Sequence, residues 1–310
     1  MPTFHRLSLF KNPLQRLATL QESKIIIMKH ILVPTDFLTC ANNAIDFAVQ
    51  SAKIIPLEIT ILHVFEVKGN IYTDYMGVNK EFNQSLLDEA YNKLALLKNS
   101  IKEAEGIVVN TDILKGNVNE AILQAAQDKN IDLIVMGTLG ASSIKEKLWG
   151  SKTGAVIGNS KVPVLVIPYD YAWKKPEKFL MATNHFEKEP AILNFLFDLA
   201  DLYTAQLQVV VFTDEDDDNA VTLLEHTRKT PQYEKMLKEK YKEETLTASH
   251  LSGKEFEETL QDHIRQNEID ILVMFTYKRK FLERIFHPGM TKRMSYHTTI
   301  PLLAIPAKQD

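Results

Sequence analysis

Short apolar runs alternate with longer amphipathic stretches from Met28 onward. Runs such as "LEITILHVF" (57–65) are rich in valine, isoleucine and leucine, which is typical of strands buried on both faces of a parallel sheet. Stretches such as 82–104 carry apolar residues at helical spacing. The pattern predicts strands at 30–37, 57–65, 107–114, 131–137 and 162–168, and helices at 42–55, 82–104, 119–130 and 153–160. This alternation predicts a doubly wound α/β domain.

The second half of the chain repeats the pattern of the first. "IDLIVMG" at position 131 corresponds to "IDILVMF" at 269, and "VPVLVIP" at 162 corresponds to "IPLLAIP" at 300. Both pairs are 138 residues apart, whereas "ILVPTDF" at 31 and "FLMATNH" at 179 are 148 residues apart. The first copy is therefore longer between its first and fourth strands, and we expect the additional residues in segment 66–82.

The repeat predicts two domains of one fold, residues 28–168 and 178–307, joined by a linker at 169–177. Residues 1–27 carry Arg6, Lys11 and Arg16 but no acidic residue before Glu22. They are either an amphipathic targeting segment or an extension outside the fold. We treat them as an extension and exclude them from the fold.

Composition narrows the classes of function. The net charge of −4 argues against a nucleic-acid-binding surface. No apolar run approaches the roughly 20 residues needed to span a bilayer. The single cysteine, Cys40, excludes an intramolecular disulfide and is ordinary in a reducing cytosol. We therefore expect a cytoplasmic protein that binds neither nucleic acid nor membrane.

The carboxyl ends of the predicted strands mark the expected ligand site. Ligands of open parallel sheets bind beyond these ends, where the strand order reverses. The first strand delivers Pro34, Thr35 and Asp36 to this edge, and the fourth delivers Met136, Gly137 and Thr138.

The segment "MGTLGASSIKEKLWGSKTG" (136–154) begins at this edge. Gly137 and Gly140 allow the backbone to pass close to a ligand. Gly150 and Ser151 precede a predicted helix whose first amides and dipole favour an anion. The alternative is that these glycines only end a strand and cap a helix. The segment is not a Walker A loop, because its lysine follows a serine, and no G-x-G-x-x-G follows the first strand.

Three segments together resemble the universal stress protein family: "MKHILVPTDF" at the start, "GTLGASSIKEKLWGS" with G-x2-G-x9-G-S spacing, and the closing "VPVLVIP". The resemblance covers residues 28–168 well and 178–307 more faintly, as in a tandem member of the family. It implies a five-stranded parallel sheet of order 3-2-1-4-5 in each domain. The glycine spacing combined with Asp36 resembles the ATP-binding branch.

The resemblance also implies a role for each residue of the site. Asp36 would form a hydrogen bond with the ribose, Val64 would present its backbone to adenine, and the glycine-rich segment would hold the phosphates. Lys152 departs from the small apolar residue usual at its position, and it either strengthens phosphate binding or points into solvent. The implied ligand is ATP, with or without Mg²⁺. The implied binding residues are Pro34, Thr35, Asp36, Val64, Met136, Gly137, Thr138, Gly140, Gly150, Ser151, Lys152 and Thr153.

The second copy departs from this pattern, so we expect its site to be degenerate. Phenylalanine and lysine cannot give the close backbone approach of glycine, and proline lacks an amide donor. The replacements are Asn184 for Asp36, Phe275 for Gly137, Lys278 for Gly140 and Pro288-Gly289 for Gly150-Ser151.

Two charged segments of the second copy leave alternatives open. The basic segment 277–293 is either a solvated helix face or a surface for an anionic ligand or partner. The acidic segment 213–220 is either a solvated loop or a metal site, and consecutive acids without alternation favour the loop.

The leading hypothesis is a non-catalytic stress-response protein that binds ATP in its first domain. The two domains would pair through their closing strands, with a homodimer as a further option. The alternatives are a slow ATPase and a nucleotide-free scaffold that acts through partners. No general base or magnesium carboxylate stands out beyond Asp36, and His63 lies within a buried strand, where a structural role is the more common one.

Overall fold

The computed structural model describes residues 28–66, 78–138, 151–216, 218–276 and 299–307. Strands and helices alternate throughout these ranges. The elements of the first half are β1 (His30–Thr35), α1 (Thr39–Ala52), β2 (Glu58–Phe65), α2 (Val78–Glu105), β3 (Asn110–Lys115), α3 (Val118–Asp128), β4 (Leu133–Gly137), α4 (Ser151–Asn159) and β5 (Val164–Ile167). Those of the second half are β6 (Lys178–Thr183), α5 (Pro190–Tyr203), β7 (Gln206–Asp214), α6 (Ala220–Tyr241), β8 (Thr247–Gly253), α7 (Phe256–Asn267), β9 (Ile271–Phe275) and β10 (Leu302–Ile305).

All ten strands belong to one sheet, in the order β3-β2-β1-β4-β5-β10-β9-β6-β7-β8. Within each half the strands are parallel and follow the order 3-2-1-4-5, so the predicted fold class is confirmed. The halves meet where β5 and β10 pair in antiparallel fashion, with Leu303 opposite Leu165.

Two apolar layers cover the two faces of the sheet. One layer packs α1, α2, α5 and α6 against one face, and the other packs α3, α4 and α7 against the opposite face. Ile31 and Val33 of β1 point into the first layer, whereas Leu32 points into the second. Because the strands are buried on both faces, they appear in the sequence as nearly continuous apolar runs.

A carboxylate at the start of the fourth strand anchors the first strand in each half. Asp132 Oδ2 accepts hydrogen bonds from the backbone N–H groups of Lys29 and His30 at 2.8 and 2.9 Å. Asp270 Oδ2 accepts the equivalent bonds from Glu177 and Lys178 at 2.8 and 2.9 Å. The two copies therefore share this framework contact, although they differ at the opposite edge of the sheet.

The additional residues of the first copy lie between β2 and β3. β3 begins 52 residues after β2, whereas β8 begins 41 residues after β7. The connection from β2 to α2 is longer than the one from β7 to α6, and α2 has 28 residues against 22 in α6. This location agrees with the predicted segment 66–82, of which residues 67–77 lie outside the described residues.

Four predicted boundaries were wrong by three or four residues: both ends of α1 (39–52 against 42–55), the start of α2 (78 against 82) and the start of β3 (110 against 107). The helix predicted at 42–55 begins at Thr39, because the carbonyl of Leu38 already accepts a hydrogen bond from Asn42 N–H at 3.0 Å. The strand predicted from residue 107 begins at Asn110, since Gly106 ends α2 with a φ of +72° and the chain needs three residues to reach the sheet. Apolar periodicity does not mark such turns.

Candidate functional site

A cleft of about 400 Å³ opens at the carboxyl edge of the first half, between the ends of β1, β2 and β4. Helices α2 and α3 and the start of α4 complete its walls. The predicted binding residues that line it are Pro34, Thr35, Asp36, Val64, Met136, Gly137, Lys152 and Thr153.

The remaining predicted residues lie beside the cleft or outside the described residues. Thr138 is buried and its N–H donates to the carbonyl of Ile167 at 3.1 Å. Ser151 is the first residue of α4. Gly140 and Gly150 lie outside the described residues, as do residues 1–27 and the basic segment 277–293.

The turn after β1 holds Asp36 at the mouth of the cleft. Thr35 Oγ1 accepts a hydrogen bond from Phe37 N–H at 3.0 Å, and Asp36 Oδ1 accepts one from Leu38 N–H at 3.1 Å. Phe37 has a φ of +64°, a conformation that non-glycine residues rarely adopt outside functional or tightly constrained turns. Within the described part of the chain Asp36 Oδ2 makes no hydrogen bond, so it is available to a donor in the cleft.

One wall of the cleft is apolar. Val64 lies near the end of β2, Val118 and Ile122 lie one turn apart on α3, and Met136 comes from β4. These side chains pack against the layer that contains α3 and α4. An apolar wall next to a few polar groups is the usual composition of a small-molecule site.

The end of β4 packs directly on the first turn of α1. A Cβ placed on Gly137 would lie 2.5 Å from the carbonyl oxygen of Cys40, so glycine is required there. Thr153 is buried, and its hydroxyl donates to the carbonyl of Gly137 at 3.0 Å. This bond fixes the start of α4 beside the cleft.

Charged and aromatic residues form the opposite side. Lys152 Nζ lies 3.8 Å from Glu66 Oε1, and Lys93 Nζ lies 2.6 Å from Glu89 Oε1. His63 Nδ1 is 2.9 Å from the carbonyl oxygen of Thr35. Because a carbonyl only accepts, Nδ1 carries the hydrogen.

The ring of Phe37 contacts both His63 and Lys93. It lies 4.7 Å from that of His63, and Lys93 Nζ lies 5.6 Å from its centroid. His63 is thus held by a hydrogen bond and a ring contact, which agrees with a structural role for it.

Sequence reasoning missed several lining residues, because it considered only the ends of the first, second and fourth strands. Helical spacing was the available signal: Leu86, Glu89, Ala90 and Lys93 lie on one face of α2. Val118 and Ile122 were detectable in the same way, as two apolar residues four apart just after the third strand.

Two phenylalanines lie in the corresponding region of the second half. The repeat places Phe212 at the position of Val64, and Phe256 at that of Val118. The two rings are buried, 4.8 Å apart and nearly perpendicular. Phe275 stands at the position of Gly137 and lies in the core layer that contains α5.

A buried histidine, His226, and a half-buried one, His250, occupy the neighbouring region of the second half. Thr213 Oγ1 lies 2.7 Å from His226 Nδ1 and 2.8 Å from His250 Nε2. Thr227 Oγ1 lies 3.1 Å from His250 Nδ1. Burial lowers the pKa of both histidines, and the proximity of His226 lowers the pKa of His250 further.

The acidic segment after β7 forms a turn stabilised by its own carboxylates. Asp218 Oδ2 accepts a hydrogen bond from Asp214 N–H at 2.9 Å, and Asp214 Oδ1 accepts one from Asp216 N–H at 3.1 Å. Across the described ranges no group of three or more histidine, cysteine or acidic side chains is arranged to hold a metal ion. The helices in those ranges are also too short or too polar to cross a membrane.

Comparisons with known proteins agree with this architecture. The model of the universal stress protein family matches residues 28–168. Universal stress protein MJ0577 of Methanocaldococcus jannaschii is 33% identical over 156 residues, which cover 46% of this chain and 96% of that protein. Universal stress protein YxiE of Bacillus subtilis is 32% identical over 143 residues, which cover 44% of this chain and 97% of that protein.

A solved structure extends the likeness of fold to both halves. The crystal structure of a universal stress protein from Archaeoglobus fulgidus matches 90% of this chain and 96% of its own, with a TM-score of 0.60 and 19% identity. The family model thus covers the first half, and the likeness to this structure extends over both halves. The chain belongs to the universal stress protein family.

Proposed function

We propose that the first half binds ATP in this cleft and that the protein acts by binding the nucleotide rather than by catalysis. One observation carries the proposal. The cleft brings Asp36, an apolar wall and the start of a helix together in the first half, while Phe212 and Phe256 pack together in the corresponding region of the second half.

The cleft residues fit the three parts of the nucleotide. The base packs against Val64, Val118 and Met136, and a ribose hydroxyl donates to Asp36 Oδ2. The phosphates lie near the first turn of α4, where free backbone N–H groups and the helix dipole favour negative charge. The G-x2-G-x9-G-S spacing predicts that Gly140 and Gly150 contribute further backbone contacts.

The charges of the cleft favour binding over hydrolysis. Phosphoryl transfer needs carboxylates that hold magnesium and a group that orients the attacking nucleophile. Glu89 is paired with Lys93 on its own helix, and Asp36 uses Oδ1 for the turn after β1 and Oδ2 for the ribose. His63 bonds a backbone carbonyl through Nδ1. We therefore propose a regulatory role, with the second half serving as a partner that pairs through β10.

The first prediction tests the cleft directly. Protein stripped of nucleotide is titrated with ATP by calorimetry, as wild type and as the Val118→Phe variant. The new ring would occupy the space that Phe256 fills in the second half, so affinity should fall at least about tenfold, a loss of about 1.4 kcal/mol. Val108→Phe, at a side chain 67% exposed, makes the same chemical change away from the cleft and should leave affinity unchanged.

The outcomes separate the candidate functions. A wild-type protein that binds no ATP would contradict the proposal and favour the scaffold. Multiple-turnover phosphate release well above that of an Asp36→Ala variant would contradict the non-catalytic role.

A further inference from the structure

An ion pair spans the mouth of the cleft. Glu66 is the first residue after β2, and Lys152 is the second residue of α4. Their charged atoms are 3.8 Å apart, and their side chains are 49% and 47% exposed. Both line the cleft beside the first turn of α4, where the proposed function puts the phosphates of the nucleotide.

Lys152 is placed where a helix disfavours a cation. The first turn of a helix carries the positive end of the helix dipole, and a lysine there is electrostatically unfavourable unless an anion lies close. Glu66 supplies that anion.

The contact with Glu66 is readily exchanged. At 3.8 Å it is longer than a hydrogen bond, and ion pairs this exposed contribute little to stability. The other lysine among the described lining residues, Lys93, is engaged differently: it lies 2.6 Å from Glu89, one turn away on its own helix. Of these two lysines, Lys152 is therefore the one whose acidic partner lies on a different element.

We propose that Lys152 exchanges Glu66 for the terminal phosphates of the bound nucleotide, and that this exchange makes the cleft select nucleotides by the number of their phosphates. The inference rests on the proposed function. A diphosphate or triphosphate chain carries more negative charge than one carboxylate and forms short charge-assisted hydrogen bonds with an ammonium group. Glu66 competes for Lys152 and repels the incoming phosphates.

Two variants have opposite expected effects. Lys152→Ala removes the cation, so affinity for ATP should fall about tenfold, in line with the loss of one charge-assisted contact. Glu66→Gln removes the competitor and its repulsion, so affinity for ATP should rise about threefold. Neither change should alter affinity for adenosine, which carries no phosphate.

The experiment is a set of calorimetric titrations of the full chain with adenosine, AMP, ADP and ATP. The matched controls are Lys129→Ala and Asp112→Asn, which remove the partners of an ion pair of 2.8 Å that does not line the cleft. Both controls should bind all four ligands as the wild type does. Added salt should reduce the preference for ATP over adenosine in the wild type.

The titrations test the proposed function and the role of Lys152 separately. If the wild type binds neither ATP nor adenosine, the proposed function fails and the inference fails with it. If the wild type binds ATP and Lys152→Ala binds it equally well, the inference alone is overturned. Equal losses for adenosine and ATP in Lys152→Ala also overturn it, since they show a general defect of the cleft rather than selection by phosphate number.

Discussion

Gly137 and Phe275 occupy equivalent positions in the two copies and lead to different local structures. At Gly137 the absence of a side chain lets the carbonyl of Cys40 approach the end of β4. In the second copy the Phe275 ring lies in the core layer of α5, and that helix begins twelve residues after the start of β6, whereas α1 begins nine residues after the start of β1. At the ligand edge α5 therefore begins nearly one turn later than α1, although both helices have 14 residues.

The second prediction concerns this position. Gly137→Ala should lower the free energy of unfolding by about 1–3 kcal/mol, because the added Cβ would lie 2.5 Å from backbone that cannot easily move. Urea unfolding of the full chain measures the change. Gly154→Ala in α4 is the matched control, since nothing lies within 4 Å of its Cβ, and it should stabilise by about 0.5–1 kcal/mol. A Gly137→Ala protein as stable as the wild type would disprove the requirement for glycine.

Three elements of the second half, β7, β8 and α6, are joined by an ordered chain of hydrogen bonds. The Thr227 hydroxyl donates to the carbonyl of Leu223 at 2.8 Å, so it accepts from His250 Nδ1. Neutral His250 therefore accepts at Nε2 from Thr213, which in turn accepts from His226 Nδ1. This hydrogen-bond chain requires a neutral His250, because a protonated ring carries a hydrogen on Nε2 and cannot accept from Thr213.

Acidification should therefore destabilise the protein, which is the third prediction. Burial lowers the pKa of His226 and His250 in the folded state, although the carboxylates of Asp218 and Glu225 oppose this for His226. Near neutral pH and below, the folded protein then binds fewer protons than the unfolded chain, in which the pKa of histidine is about 6.5. The stability contributed by the neutral histidine rings is present above that pH and is lost as the pH falls below it.

Thermal unfolding between pH 7.5 and 5.5 checks this expectation. The His250→Gln variant keeps an acceptor for the Thr213 hydroxyl but cannot be protonated, so its midpoint should depend less steeply on pH than that of the wild type. If the midpoints of both proteins depend equally on pH, the hydrogen-bond chain through His250 is not the cause of the loss of stability in acid. His30→Gln serves as the control, since His30 is near the surface and its ion pair with Glu58 is exposed.

At the scale of the whole molecule, the two halves share one sheet and both apolar layers. Besides the pairing of β5 with β10, Tyr203 of α5 donates a hydrogen bond of 2.7 Å to Ser51 Oγ of α1. Both residues are buried, and burial raises the pKa of the tyrosine well above its ordinary value. The halves are therefore expected to unfold together as one cooperative unit.

The fourth prediction tests this coupling. Tyr203→Phe leaves the buried hydroxyl of Ser51 without that donor, so the free energy of unfolding should fall by about 1–3 kcal/mol while the transition stays single. Denaturant titrations followed by tryptophan fluorescence and by circular dichroism should coincide for both proteins. Tyr91→Phe, at a side chain 55% exposed, should change stability by less than about 0.5 kcal/mol. Two separate transitions in the wild type would contradict the shared core.

The success of sequence-based prediction differed between the fold and the site. The strands and the repeat were predictable because a buried parallel strand needs apolar residues at nearly every position, as in Ile271–Phe275. Candidate residues at the ends of β1 and β4 followed from the rule for parallel sheets. The contributions of α2 and α3, such as Lys93 and Val118, were missed, since they depend on how helices far away in sequence pack over the edge.

The sequence by itself determined the approximate positions of the strands and the tandem repeat, because these follow from apolar runs and their recurrence along the chain. It also determined the glycine spacing and the family resemblance, because these rest on short motifs that are read directly from the chain. Only the tertiary structure decided that a cleft opens at the ligand edge of the first half and that Phe212 and Phe256 pack together in the corresponding region of the second. It also decided that Lys152 faces Glu66 across the cleft. These contacts join residues that are far apart in the chain, and their geometry follows from packing, which no local pattern specifies.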